Sequence, residues 1–257
     1  MSVAVGVGAW VEGQVGVIEL QRPPHNFFDA TMIEAVADEL ERFDAEPAVG
    51  AVVLCARGRS FCAGADFSSR SDEGVGGDGT ARLYDAAARL VSVAVPVVAA
   101  VHGPAIGGGL GVAMTASLRV TCPEARFSAN FVKLGIHPGF GLSVTLPELL
   151  GPARASLVLL TGRRFSGQEA TALGLADVCV AADEVRQAAR GLAGEIGSGA
   201  PLAIRAINRT LRAGLAGRLA AATAHEAAEQ ARLAATADAR EGMRAVAERR
   251  PGRFTGR

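Results

Sequence analysis

Two segments built from glycine, alanine and other small residues constrain the fold of this chain most strongly. Residues 59–67 read RSFCAGADF, and residues 102–111 read HGPAIGGGLG. Each follows a short apolar run, 51–56 or 97–101, of the kind that forms a buried strand. Side chains this small leave the peptide N–H groups open to a ligand. The pair therefore predicts a site in which main-chain amides bind an oxygen atom that gains negative charge.

The order of apolar runs and helical periodicities predicts an α/β fold. A strand-like run over 15–20 precedes a stretch, 31–45, with apolar residues at helical spacing. From about Pro152 the sequence is predicted to be almost wholly helical. We predict a core over residues 1–200 that holds the site and a helical region over residues 201–257. That region has too little bulk for a core of its own, so we expect it to pack on the first part and on a neighbouring subunit.

Composition argues against several other classes of function. Lys and Arg total 26 and are balanced by 26 Asp and Glu, which argues against a nucleic-acid-binding surface. No apolar run reaches the length of a membrane span, and the first residues lack the pattern of a signal peptide. The four cysteines form no CxxC pair, so we expect free thiols in a reducing cytoplasm and no metal site. The GGGLG spacing departs from the GxGxxG of dinucleotide-binding sites.

Further short motifs accompany the two segments. They are RP at 22–23, FCAGAD at 61–66, GGG at 107–109, FS at 127–128, LGIHP at 134–138 and LTG at 160–162. In this order the chain resembles the enoyl-CoA hydratase/isomerase family of the crotonase superfamily over nearly its whole length. The resemblance implies a crotonase-like spiral of ββα units with a C-terminal helical trimerisation region, assembled as a homotrimer or a dimer of trimers. It also implies an acyl-CoA thioester substrate, with coenzyme A as part of the substrate and no tightly bound cofactor.

The resemblance also implies roles for particular residues. The N–H groups of Ala65 and Gly108 fall at the positions of the family's two oxyanion donors, which bind the thioester oxygen and stabilise an enolate. The positions that would line the substrate are Ala63, Gly64, Asp66, Gly107, Phe131 and Tyr84. The part of the site that stabilises negative charge is therefore expected to be complete.

Catalytic carboxylates are missing from the positions at which the family carries them. The two positions of the hydratase glutamates hold Gly111 and Phe131, and the position of the acid in isomerases and dehalogenases holds Gly139. Two carboxylates are needed to hold a water molecule and pass its protons. We therefore expect double-bond isomerisation or another one-base reaction in preference to two-glutamate hydration. The alternative is a non-catalytic acyl-CoA-binding protein that kept the fold and lost turnover.

His137 is the first candidate for a replacement acid or base. It precedes Gly139 by two residues, in the loop that carries the isomerase acid, and an imidazole exchanges protons near neutral pH. Its alternative role is packing within a proline-flanked turn. Tyr84, the single tyrosine, is a second candidate, with an ordinary half-buried aromatic as its alternative. His102 ends a strand-like run, so we expect a hydrogen-bonded core residue there.

Overall fold

The computed structural model describes residues 5–65 and 78–257, which form two sheets surrounded by helices. The strands are β1 (Val7–Glu12), β2 (Val15–Leu20), β3 (Ala51–Ala56), β4 (Val97–Val101), β5 (Ala105–Ile106), β6 (Leu118–Thr121), β7 (Arg126–Ser128), β8 (Phe165–Ser166) and β9 (Val178–Cys179). The helices are α1 (Ala30–Asp44), α2 (Asp78–Leu90), α3 (Gly108–Met114), α4 (Leu142–Leu150), α5 (Pro152–Thr161), α6 (Gly167–Leu173), α7 (Val185–Gly197), α8 (Pro201–Leu211), α9 (Leu215–Ala234) and α10 (Ala237–Ala247). A 3₁₀ turn over Asn130–Leu134 follows β7.

The larger sheet has the strand order β1-β2-β3-β4-β6-β9. β1 is antiparallel to β2, and every other neighbouring pair in this sheet is parallel. All residues of β2, β3 and β4 are buried, as expected for parallel strands with apolar side chains on both faces. The predicted α/β fold and the predicted strands over 15–20, 51–56 and 97–101 are confirmed.

Helix α1 covers the sheet beside the first strands. The side chain of Asp29 caps its start by accepting a hydrogen bond from Met32 N over 2.8 Å. Near its end, Phe43 packs on Gly16 of β2, where a Cβ atom would lie 3.0 Å from the phenylalanine ring. The cap fixes where the helix starts. Phe28, the residue before Asp29, is thereby held at the edge of the site described below.

The smaller sheet has the order β5-β7-β8, with β5 parallel to β7 and β7 antiparallel to β8. It fixes the path of the chain between β4 and α3, and therefore the position of the second glycine segment. The prediction of a wholly helical sequence beyond Pro152 has two exceptions, β8 and β9. Each has two residues, which is too short for a periodic pattern to indicate a strand.

The helices after residue 200 pack against the rest of the chain. Arg205 Nη2 of α8 donates a hydrogen bond to Val49 O over 3.1 Å, and Asn208 Nδ2 donates to Ala94 O over 2.9 Å. Helix α9 packs against α2, and α10 packs against the 3₁₀ turn. The division between 1–200 and 201–257, and the contact with a neighbouring subunit, stay predictions.

The sequence predicts no membrane span and no metal site, and it predicts that the cysteines are free thiols. Within residues 5–65 and 78–257, no helix is long and apolar enough to cross a membrane, and no three His, Cys, Asp or Glu side chains are grouped so as to hold a metal ion. Cys55, Cys62 and Cys122 are buried free thiols, and Cys179 is a half-buried one. Burial raises the pKa of Cys55 and of Cys62 to about 12, so both thiols are held in the neutral form.

Candidate active site

The two small-residue segments lie side by side. Ile106 N donates to Cys62 O over 3.0 Å, and Cys62 N donates to Pro104 O over 3.1 Å. Cys62 and Ala105 form a parallel bridge at this point. A Cβ atom on Gly109 would lie 2.0 Å from Cys62 O, so the approach of the two segments requires glycine there.

Gly108 and Ala65 each have an N–H group at this junction. Gly108 is the first residue of α3, so its N–H has no partner within the helix. Gly107 precedes it with φ 56° and ψ −123°, a conformation that favours glycine. A Cβ atom on Gly64 would lie 3.8 Å from the Gly108 nitrogen, which places the segment carrying Ala65 next to the start of α3. Among the described residues, no backbone carbonyl accepts a hydrogen bond from either N–H group.

An apolar cavity of about 230 Å³ opens beside these two N–H groups. Its lining residues are Phe27, Phe28, Ala63, Gly64, Ala65, Leu83, Tyr84, Ile106, Gly107, Gly108, Asn130, Phe131, Leu134, Ile136, Gly139, Phe140, Gln230 and Val246. The structure thus brings together both predicted donors and all the predicted substrate-lining residues except Asp66, which lies outside the described residues. Their roles in binding and catalysis stay predictions.

Phe140 fills the space beside Gly111. A Cβ atom on Gly111 would lie 2.7, 2.8 and 2.9 Å from three carbon atoms of Phe140. Phe140 is 2% exposed, and its ring packs against Phe28 with 5.3 Å between the ring centroids. Its φ of 60° is a left-handed conformation that is uncommon for a residue other than glycine. A side chain at position 111 therefore has no room while this ring is in place.

Glu226 of α9 fixes the turn that carries Phe140. Its carboxylate accepts hydrogen bonds from Gly141 N at 2.8 Å, Ser143 N at 3.0 Å and Ser143 Oγ at 2.6 Å. These donors lie at the start of α4, where the helix dipole favours a negative charge. Burial raises the pKa of the Glu226 carboxyl, while the hydrogen bonds from Ser143 and Gly141 act in the opposite direction. Glu226 thus acts on the site through the position of Phe140.

Tyr84 and Gln230 occupy the space beside Gly139. Tyr84 Oη donates to Gln230 Oε1 over 3.2 Å, and Gln230 Nε2 donates to His137 O over 3.0 Å. A Cβ atom on Gly139 would lie 2.8 Å from Tyr84 Oη and 2.6 Å from Gln230 Nε2. Both side chains are buried and line the cavity. Gly139, where the resemblance places the isomerase acid, is therefore next to the phenol of Tyr84 and the amide of Gln230.

Gln230 and Glu226 are not predicted from the sequence, because their partners are distant along the chain. The hydrogen bond between Tyr84 and Gln230 joins positions 146 residues apart. A signal does exist in α9, where Thr223, Glu226 and Gln230 recur at helical spacing in an alanine-rich sequence, and all three are buried. Buried polar side chains need hydrogen-bond partners. This stripe indicates that α9 packs against polar groups of the core.

His137 is not among the residues that line the cavity. Its Nδ1 lies 2.8 Å from Pro138 O, and its ring packs edge-on against His225 with 5.7 Å between the ring centroids. The Nε2 atom of His102 lies 3.1 Å from Gly58 O, so the expected hydrogen bond is present, but the residue is half-buried and the prediction of a core position is wrong. The acid or base role of His137 stays a prediction.

Comparisons with known proteins identify the family of this chain. A family model described as Enoyl-CoA hydratase/isomerase matches residues 11–257. The chain belongs to the enoyl-CoA hydratase/isomerase family. A protein named probable enoyl-CoA hydratase from Mycobacterium bovis is 33% identical to it over 249 residues, which are 95% of each chain. The carnitinyl-CoA dehydratase of Proteus mirabilis is 35% identical over 203 residues, which are 78% of each chain.

Solved structures of this enzyme family have the same fold. The enoyl-CoA hydratase/isomerase from Pseudoalteromonas atlantica superposes with a TM-score of 0.85 at 29% identity, over 97% of this chain and 100% of that one. An enoyl-CoA hydratase from Mycobacterium avium subsp. paratuberculosis gives a TM-score of 0.83 at 29% identity, over 97% and 98%. The expected crotonase fold and membership of the crotonase superfamily are confirmed, and the chain is an acyl-CoA enzyme of the enoyl-CoA hydratase/isomerase family.

Proposed function

We propose that this enzyme forms an enolate from an acyl-CoA thioester and completes the reaction with a single proton-transfer group. The observation that carries the proposal is the junction at which Ala65 and Gly108 both line an apolar cavity, with no described backbone carbonyl accepting from either N–H group. Amides held in fixed positions stabilise an oxyanion without having to reorient during the reaction. Apolar surroundings strengthen this interaction because little water screens it.

Tyr84 is our candidate for the proton-transfer group. Among the described lining residues of the cavity, it is the one side chain that exchanges protons. The amide of Gln230 orients Oη, and the His137 carbonyl in turn orients that amide. His137 is the second candidate. One such group supports double-bond isomerisation or another one-base reaction, whereas two-glutamate hydration needs two carboxylates.

The cavity favours a short apolar acyl group on the thioester. Its carbon-rich walls include Phe27, Phe131, Leu134 and Val246. Burial of apolar surface against these side chains would supply binding free energy for an acyl chain. We expect coenzyme A to enter as part of the substrate, with no tightly bound cofactor, and we retain Asp66 as a substrate-lining prediction.

A homotrimer or a dimer of trimers, located in the cytoplasm, is the assembly that we propose. Leu202 and Ile207 of α8 are 83% and 60% exposed. Apolar side chains this exposed are typical of a surface that another subunit covers. Size-exclusion chromatography with light scattering tests the assembly, and a monomer across the micromolar range would contradict it.

Exchange of the α-hydrogens of a short acyl-CoA with solvent deuterium tests enolate formation. We expect the wild-type enzyme to incorporate deuterium, and we expect Gly108→Pro, which lacks the N–H, to do so about 10²–10³-fold more slowly. Gly108→Ala is the matched control, because its Cβ meets the same Phe28 ring, 2.6 Å away, while the N–H remains. Equal losses in the two variants would contradict the donor role of Gly108.

A second experiment separates the two proton-transfer candidates and the reaction types. Tyr84→Phe keeps the ring and removes Oη, so we expect kcat to fall about 10²-fold or more with little change in acyl-CoA affinity. His137→Ala provides the comparison, and a larger loss there would favour the histidine. Mass spectrometry of products from β,γ-enoyl-CoA and α,β-enoyl-CoA distinguishes a double-bond shift from addition of water.

The alternative function is acyl-CoA binding without turnover. It is supported by the lack of a carboxylate among the described residues that line the cavity. In that case, calorimetry would detect binding of acyl-CoA, while neither deuterium exchange nor a double-bond shift would occur. Failure to bind any CoA thioester would contradict both functions.

A further inference from the structure

A second cavity, of about 240 Å³, lies between the end of α3, α4, α8 and the start of α9. It has no lining residue in common with the first cavity. Two arginines, Arg119 and Arg212, line it together with the polar side chains of Ser117 and Asn208. Guanidinium groups are rarely buried without carboxylate partners, so the partners of these two arginines determine the charge of the cavity.

Arg119 is buried with one hydrogen-bond donor unused. Its side chain is 3% exposed, and its Nη2 lies 3.0 Å from Asp177 Oδ2. Nη1 donates to Ala116 O over 3.0 Å. Nε is buried and has no hydrogen-bond partner within the part of the chain that the structure describes. Asp177 therefore matches the charge of this guanidinium group but leaves its hydrogen-bonding capacity unfilled.

Arg212 has no carboxylate partner among residues 5–65 and 78–257. Its Nη2 donates to Thr115 O, and its Nη1 lies 3.4 Å from Ser117 Oγ. Glu148, which also lines the cavity, pairs instead with Arg218 Nε at 2.8 Å. Burial and the nearby charge of Arg119 lower the pKa of Arg212 to about 10, so it remains a cation at neutral pH. The cavity thus carries one positive charge that no described carboxylate balances.

We propose that this cavity binds a small monocarboxylate with a short apolar stem. The carboxylate would accept forked, charge-assisted hydrogen bonds from Arg212, next to the Ser117 hydroxyl. The stem would lie against Leu149 and Leu211, which line the same cavity and are 40% and 79% exposed. Binding would cover these apolar side chains and balance the unpaired charge in one step.

A single carboxylate matches this cavity better than a phosphate does. The unbalanced charge is one, and a dianion would lie near the carboxylates of Asp177 and Glu148. The side chains of Met114, Leu149 and Leu215 make much of the wall apolar. A half-buried cation without a charged partner favours an anion of matching charge beside it.

Isothermal titration calorimetry with butyrate and hexanoate tests the proposal. We expect both acids to bind, and we expect butyramide, which is neutral and of similar size, not to bind. Arg212→Gln should weaken carboxylate binding about 10- to 100-fold, the effect of losing charge-assisted hydrogen bonds. Arg209→Gln is the matched control, since Arg209 is an exposed arginine of α8, three residues before Arg212 and outside the cavity. Leu211→Asp places a negative charge at an exposed lining residue and should weaken binding without disturbing the core.

Four outcomes would overturn this proposal. They are absence of binding of either acid, equal binding of butyramide, unchanged affinity in both Arg212→Gln and Leu211→Asp, and dissociation of an oligomer by Arg212→Gln. The last result would assign the guanidinium group to a contact between subunits. Deuterium exchange on acyl-CoA takes place in the first cavity, so none of these results decides the function proposed above.

Discussion

Replacing Gly111 with alanine should destabilise the protein unless Phe140 is truncated at the same time. The added methyl group would lie 2.7 Å from the Phe140 Cβ and 2.8 Å from its Cδ1, which is closer than real Cβ atoms approach their neighbours. The ring is 2% exposed and packs on Phe28, so it can move only toward the cavity that it lines, while its Cβ is held by the backbone. Overpacking of a buried site in this way costs about 1–3 kcal/mol.

Phe140→Ala, the second single variant, leaves a cavity and should cost about 3–5 kcal/mol. In the double variant the contacts with the ring carbons disappear, and the remaining 2.7 Å contact between the two methyl groups can relax into the void that the ring leaves. We therefore expect the double variant to be about 1–2 kcal/mol more stable than the two separate losses predict, a coupling within the range known for residues in contact.

Urea denaturation at one fixed protein concentration measures all four free energies of unfolding. Gly191→Ala, in the middle of α7, is the control for adding the same methyl group, since nothing lies within 4 Å of its Cβ position. That control should stabilise the protein by about 0.5–1 kcal/mol. A coupling within about 0.5 kcal/mol of zero between Gly111→Ala and Phe140→Ala would refute the reasoning.

Three further predictions concern other parts of the molecule. Burial raises the pKa values of Cys55 and Cys62 to about 12, so both thiols should resist alkylation in the native enzyme while Cys179 reacts. Mass spectrometry of the alkylated protein measures the order of labelling, and labelling of Cys62 first would contradict this prediction. Gly109→Ala places its Cβ 2.0 Å from Cys62 O, so we expect a loss of more than about 3 kcal/mol in thermal or urea unfolding, and a wild-type melting temperature would be the contrary result. Burial raises the pKa of Glu226, so the folded state binds more protons than the unfolded state just above pH 4.5. The contribution of this carboxyl group to stability should therefore fall as pH rises there. Glu226→Gln should remove that slope, and an identical dependence of stability on pH in the variant would contradict the prediction.

The sequence predicts the central strands and the two small-residue segments because their signals are local. An uninterrupted apolar run such as Val97–Val101 reports its own burial on both faces. A glycine indicates where two backbone segments approach closely, as at Gly109, whose Cβ would collide with Cys62 O. Both kinds of signal are complete within a few residues, and the structure places these elements where the sequence predicts them.

The remaining features of the site depend on contacts between distant residues. The sequence shows that position 111 holds glycine and no carboxylate. It does not show that Phe140 fills the space there, because the position of Phe140 depends on the turn after the 3₁₀ segment. The pairing of Tyr84 with Gln230 depends on how α9 docks against α2. The buried stripe on α9 indicates that such partners exist but does not identify them.

The close fit between Gly111 and Phe140 also limits the order in which substitutions can accumulate at this site. A glutamate at position 111 is disfavoured while Phe140 is in place, because its Cβ would collide with the Cβ and the ring of Phe140. Loss of the ring must come first, and by itself it leaves a void beside Phe28. Any path that introduces a carboxylate at this position therefore passes through a less stable intermediate sequence, so the present pairing resists change one residue at a time.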